Sequence, residues 1–404
     1  MKIKIACCLL VITFNFCTKE NKIQQAAKNK DLYLIDLDNI KKEETVSASS
    51  FFDSAELIFL ETNDECLIGE ISDVQFLDDK LLILDERVTK SLFVYKIDGT
   101  FLYKISRIGQ GPGEYVSLSD FTINTDKREI YLLDDENEHI LKFNMDNGNY
   151  IATIKLEVGD YCRNIQYNNG RLYADANDGH VGSLLNEINI ETGEKIKKWL
   201  DTDLYNKGWM GLFFVSDRHF YSRNSSQNMY NQIFMDTVIS IENSTIKSFL
   251  AVKSKDWMVK EELSESMKND FSELSNYLFT NNKIYGIKNI FEYENHIYFN
   301  FNIGRSLNSI LFNKEDRTSI MFQSFEIDLL YENENIYTSG FITSDSDGLY
   351  CVFPAEYLKE MEKSPKPAVL KEYLRDKYAE RISAIKEDDN PVLIYLKNTK
   401  HNTR

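Results

Sequence analysis

Several things are scarce in this chain. Its 404 residues include five prolines, five histidines and six cysteines. No stretch rich in Pro, Gly or Ser divides it, so one large domain is expected. The histidines, His139, His180, His219, His296 and His401, are scattered without paired spacing. No HExxH helix, GxSxG elbow, P-loop or dinucleotide fingerprint occurs, so neither a cofactor nor a metal is expected. Basic charge is also in deficit, with 47 Lys and Arg against 64 Asp and Glu. A surface of that sign repels phosphate backbones, which argues against nucleic acid as a partner. The longest apolar run, Ile5 to Ile12, is too short to span a bilayer.

A repeated hydrophobic signature is abundant instead. Its six copies are Lys80–Asp85, Glu129–Asp134, Arg171–Ala174, His219–Ser222, His296–Phe299 and Gly348–Cys351. Aligning Leu82, Tyr131, Tyr173, Tyr221, Tyr298 and Tyr350 gives spacings of 49, 42, 48, 77 and 52 residues, about one propeller blade each. A second apolar run precedes the cores, as at Val74–Leu77 and Ile165–Tyr167. Turns with Gly or Asn, such as Asp98-Gly99 and Asn147-Gly148, follow them. Each unit reads as four antiparallel strands.

The expected fold is all-β, a six-bladed β-propeller over residues 51–397 with helical insertions at about 255–282 and 355–386. Ring closure uses N- and C-terminal strands: Asn390–Lys397 supplies a third strand and Glu56–Glu61 a fourth, which removes the open edge. A rival registration takes Glu334–Tyr337 as the sixth core. It ranks lower because no adequate partner strands follow it.

Residues 1–16 read as a signal peptide, with Lys2 and Lys4 ahead of the apolar run. The stop immediately before Cys17 resembles a bacterial lipoprotein signal. Cys17 would then carry lipid, residues 17–50 would form a tether and N-terminal segment, and 398–404 a tail. Phe14 and Phe16 depart from the usual small residues of that signal. Loss of the leader takes the formal charge from −17 to −19. Cys66, Cys162 and Cys351 remain, and their spacing matches no zinc site, so buried, inert thiols are expected.

The segment Arg107-Ile-Gly-Gln-Gly-Pro-Gly-Glu-Tyr115 resembles the hallmark of the six-bladed β-propeller lipoproteins of Bacteroidetes. Leu60–Gly69 and Asp389–Lys397 match the same family, so the likeness covers about Phe51 to Lys397. Thr18-Lys-Glu20 is similar to the tags that accompany surface export of lipoproteins in that phylum. The resemblance implies a fold and a cell-envelope location at the outer membrane, facing the periplasm or the surface, and brings no catalytic residue. Blades one and two, with Asp85 or Asp134 after the core and Gly99 or Gly148 in the turn, also resemble NHL repeats.

Strand parity gathers the connections from strand two to three, and from strand four to the next blade, at one end of each sheet. The glycine-rich segment and both insertions fall on that rim, the expected binding surface. Candidate binding residues are Arg107, Gly109, Gly111, Pro112, Gly113, Glu114, Tyr115, Arg163, Arg223 and Arg305, with Arg87 nearby. The glycine N–H groups could face an anion and the arginines a carboxylate or sugar. Asp134–Glu136 and Asp345–Asp347 are acidic turns without a recognised calcium pattern. The leading functional reading is a lipid-tethered, non-catalytic module that binds a glycan, peptide or protein partner and meets the membrane only through its anchor. The alternative is a hydrolase or lyase acting on a glycan or peptide with residues from several blades.

Overall fold

A computed structural model describes residues 32–156, 162–176, 182–209, 218–224 and 227–398. The expected signal peptide, Cys17, His180 and His401 lie outside them. The first blade is built from Asp73–Leu77, Lys80–Asp85, Ser91–Lys96 and Phe101–Ile105; its two central strands are buried almost throughout, and only the outermost alternates between covered and exposed positions. The second runs from Asp120 to Lys155, the third from Ile165 to Asp201, and the fourth from Phe220 to Lys253. The fifth spans Ile287 to Phe322. The aligned residues Leu82, Tyr131, Tyr173, Tyr221, Tyr298 and Tyr350 are all buried, five of them on second strands; Tyr221 instead lies on the first strand of its blade, Phe220–Asn224, so the expected fourth repeat core is shifted by one strand.

The strands form seven sheets, so this is a seven-bladed β-propeller and the expected count of six is corrected. The additional blade is the smallest. Ser324–Ile327 pairs antiparallel with Ile336–Thr338 and parallel with Thr45–Ser47. The hairpin containing Glu334–Tyr337 lacked a partner downstream in sequence. Its third strand comes from nearly three hundred residues upstream, where spacing could not reveal it.

The seventh blade contains Thr343–Ser344, Gly348–Phe353 and Val392–Lys397, completed by Ser54–Phe59 from near the chain start. Residues ahead of that strand form a belt. Tyr33–Asp36 adds a parallel strand to the fourth blade, and Lys41–Lys42 adds one to the fifth. Ile35, Leu37 and Val46 are buried by this arrangement. The belt pairs with backbone groups that would otherwise form exposed edges.

The first insertion becomes two helices, Glu265–Asn269 and Phe271–Thr280. Ser264 caps the first by accepting from Met267 N–H at 3.2 Å. Asp270 caps the second by accepting from Ser272 and Glu273 N–H at 2.8 and 3.1 Å. Met267, Leu274 and Leu278 pack with Trp209, Phe234 and Met258. The second insertion is Ala355–Lys363 and Glu372–Ala384, interrupted around Pro365 and Pro367. Its Leu358, Leu374, Tyr378 and Ile382 join the core beside Phe59 and Phe353.

Candidate functional site

Three carboxylates at equivalent places organise blade entry. Asp85, Asp134 and Asp175 end second strands and are fully buried. Asp85 accepts from the N–H groups of Gly69 and Glu70 at 2.8 and 3.2 Å. Asp134 accepts from Val116 and Ser117 at 3.0 and 3.2 Å, and Asp175 from Arg163 and Asn164 at 2.8 and 2.9 Å. Each buried charge is satisfied by the loop entering its own blade. The Asp residues behind the NHL likeness are therefore structural fasteners. Asp134 and Asp345 are filled by donors, the latter by Gly348 N–H and the hydroxyls of Tyr350 and Tyr395.

The inner strands carry a second series, Asp73, Asp120 and Asn164, at their starts. Asp120 accepts from Ile165 N–H at 2.8 Å, and Asn164 accepts from His219 N–H at 3.1 Å, so each polar side chain reaches the next blade. Asp73 forms an ion pair with Arg218 of the connection entering the fourth blade. Burial, reinforced by the charge of Asp73, holds the Asp120 carboxyl well above the usual carboxylate range.

These residues divide the axial channel. Toward the insertion-bearing rim lies a chamber of about 270 Å³ lined by Glu70, Glu86, Arg87 and Arg163, with Asp73, Asp120 and Arg218 at its floor. Toward the opposite end, where first and second strands are joined, lies one of about 380 Å³ that shares the same three floor residues. Six of the seven blades line this larger chamber, and the three-stranded one adds nothing to it. Burial also raises Glu86, despite the opposing charge of Arg163.

Arg163 lines the rim chamber and pairs with Asp135 at 3.9 Å; Arg87 lines it between Glu70 and Glu86. Arg107 instead lies over the Phe143 ring, and Arg305 over the Phe279 ring of the insertion helix. Arg223 belongs to strand Phe220–Asn224, and its side chain lies outside the described set.

The glycine-rich loop closes on itself. Gly111 N–H donates to the Glu114 carboxylate at 2.8 Å, and Gly109 N–H donates to the Tyr115 carbonyl at 3.0 Å. Tyr115 is buried, its hydroxyl donating to Lys90 O at 2.6 Å. Gly113 has φ +76°, and an added Cβ would lie 2.7 Å from the Tyr150 ring. Pro112 sits between these glycines, and the loop braces the first two blades.

Cys66, Cys162 and Cys351 are buried free thiols. Burial pushes Cys351 up to about 12 and Cys162 well above the ordinary thiol value, where little thiolate forms. His219 Nδ1 lies 2.7 Å from Asp175 in the buried wall.

Asp73, Asp120 and Arg218 were missed by sequence reasoning. Aligning Asp73-Val-Gln, Asp120-Phe-Thr and Asn164-Ile-Gln would have shown the polar series; nothing local marks Arg218, whose partner lies 145 residues away.

Residues 32–397 match the family described as "Domain of unknown function (DUF4934)". The chain belongs to that family. This DUF4934 protein also superposes on a "Putative exported protein" of Bacteroides fragilis NCTC 9343 with a TM-score of 0.73 and 20% identity, covering 91% of this chain and 100% of that one. A duf4221 family member from Bacteroides vulgatus gives 0.49 at 12% identity, covering 85% and 96%. BamB from Moraxella catarrhalis gives 0.40 at 8%, covering 87% and 99%. At these identities the first likeness shows the fold alone. No curated protein matches the chain. Seven blades also correct the six-bladed form of the expected family. Among the described residues of this DUF4934 protein, no helix is long and apolar enough to cross a membrane.

Proposed function

We propose that this chain is a propeller of the outer membrane, tethered through lipid on Cys17, that acts as a binding module through its insertion-bearing rim. The observation that carries the reading is the rim chamber. Arg87, Arg163 and Arg218 face Glu70, Glu86, Asp73 and Asp120 there, around about 270 Å³. Such a lining suits a ligand bearing both charges, above all a peptide segment, because each ligand charge then finds a partner. Calorimetry on the purified full chain with charged and neutral peptides tests this. Arg163→Gln is expected to weaken a charged peptide at least tenfold in a chain that remains folded. Unchanged affinity in both Arg163→Gln and Arg87→Gln would overturn the rim assignment. Palmitate labelling tests the anchor: wild type should incorporate label and Cys17→Ala should not.

One observation favours a second reading, hydrolysis or lysis of a glycan or peptide. Asp73 and Asp120 share the floor of both chambers, one paired with Arg218 and the other with its carboxyl pushed up by burial and by the charge of Asp73, an arrangement able to provide an acid beside a base. Turnover on a polysaccharide and peptide panel, abolished by Asp120→Asn, would establish it. A panel without turnover would dismiss it.

A further inference from the structure

The larger chamber differs chemically from the rim chamber. Apart from the shared floor and Asp345, its lining is uncharged: amides and hydroxyls such as Gln75, Gln166, Asn228 and Ser222 alternate with the rings of Phe76 and Phe291. Thr125, Asn169 and Ser346, from hairpins joining first and second strands, stand at its opening. It therefore opens at the end of the ring opposite the insertions.

Two of the amides are held in fixed orientation. Gln75 Nε2 donates to Asp73 Oδ2 at 2.9 Å and to Phe121 O at 3.2 Å. Gln166 Nε2 donates to Thr122 Oγ1 at 3.1 Å and to Tyr167 O at 3.0 Å. With both NH₂ groups committed to the ring, the amide oxygens are left as acceptors. The Asn228 oxygen accepts from Asn168 at 3.3 Å, which orients the Asn228 NH₂ as a donor. Fixed neutral acceptors and a donor among aromatic rings match a ligand with many hydroxyls and apolar C–H faces. The Asp73–Arg218 pair neutralises much of the floor, so the chamber offers little to attract a net charge.

We propose that this chamber is a binding site for a neutral saccharide, separate from the charged rim and entered from the other end of the channel. Its volume, about 380 Å³, lies within the usual span for small-ligand sites, roughly 300–1,000 Å³. The fixed amides reduce the ordering cost of binding.

The test is calorimetry of the full chain with neutral mono- and disaccharides, a uronic acid and a charged peptide. A neutral sugar is expected to bind, at least tenfold more tightly than the uronic acid. Gln75→Ala and Gln166→Ala should each weaken it about tenfold. Ser222→Phe, at an exposed lining position, should block it sterically while leaving Asp73–Arg218 intact. Arg163→Gln should leave sugar affinity unchanged. Failure of every neutral sugar to bind, or equal binding by Ser222→Phe, overturns the proposal. Sugar binding abolished by Arg163→Gln but not by Ser222→Phe would move the sugar to the rim, refuting this site while sparing the rim reading.

Discussion

The Asn390 carboxamide donates to the carbonyl oxygen of Cys66 at 2.8 Å, a bond between residues 324 positions apart. The same side chain donates to Glu61 O and accepts from Ile68 N–H, each at 2.8 Å. Asn390→Ala would leave three backbone groups without this partner. The expected cost is roughly 2–4 kcal/mol, read as a lowered urea midpoint at unchanged m value. Wild-type stability in this variant would show that water replaces the amide without penalty.

Two glycines with similar backbone angles should respond differently. Gly99 has φ +88°, and an added Cβ would stand 2.0 Å from the Phe59 carbonyl oxygen, whereas Gly170 at φ +78° faces open space. Gly170→Ala should therefore cost about 1 kcal/mol from backbone conformation alone. Gly99→Ala should cost about 2 kcal/mol or more because the turn must leave the closing strand. Thermal melts of both variants make the comparison, and equal costs would remove the steric contribution.

Glu56 and Asp120 should give opposite pH dependences. Burial opposes ionisation of Glu56, but its pairs with Lys397 and Lys377 outweigh it, holding the carboxyl below its ordinary 4.5. Its stabilising contribution is complete above that value and is lost as pH falls through the folded pKa. Glu56→Gln should consequently destabilise more at pH 7 than at pH 3. Asp120 lies well above 3.8, so the folded chain retains a proton that the unfolded chain has released. Stability falls as pH rises from 3.8 toward that folded value. Asp120→Asn should flatten this slope in urea midpoints measured from pH 3 to 8, and an unaltered slope would assign the dependence to other groups.

Deleting residues 1–49 removes the belt from the fourth, fifth and sixth blades while preserving Ser54–Phe59. The shortened chain should melt at lower temperature and self-associate through the uncovered strand edges. Light scattering after size-exclusion chromatography reads the association. A monomer with wild-type melting would make the belt dispensable.

Local periodicity made most blades legible. The Tyr131 and Tyr173 repeats lie on second strands, and the helical spacing from Trp257 to Leu278 anticipated Phe271–Thr280. The closing partnership between Glu56 and Tyr395 could also be inferred because each end of the chain carried an incomplete strand set. Thr45–Ser47 gave no comparable clue: three residues lack enough period to identify a strand, and their partner is remote. For the candidate site, rim parity could be reasoned from strand order, and Arg163 was among the residues singled out. The Arg218–Asp73 pair could not be, since a contact across a ring leaves no spacing in sequence. The glycines of Gly109–Gly113 suggested an anion cradle, but the donor at Gly111 is satisfied by Glu114 three residues later.

Ser54–Phe59 finds its ladder neighbour in Val392–Lys397. A polypeptide emerging from the ribosome amino end first must carry that early strand unpaired until its last strand is made. Were the chain also to be exported amino end first, the final sheet could assemble only after nearly all of it had crossed, so the architecture would postpone its own completion until arrival.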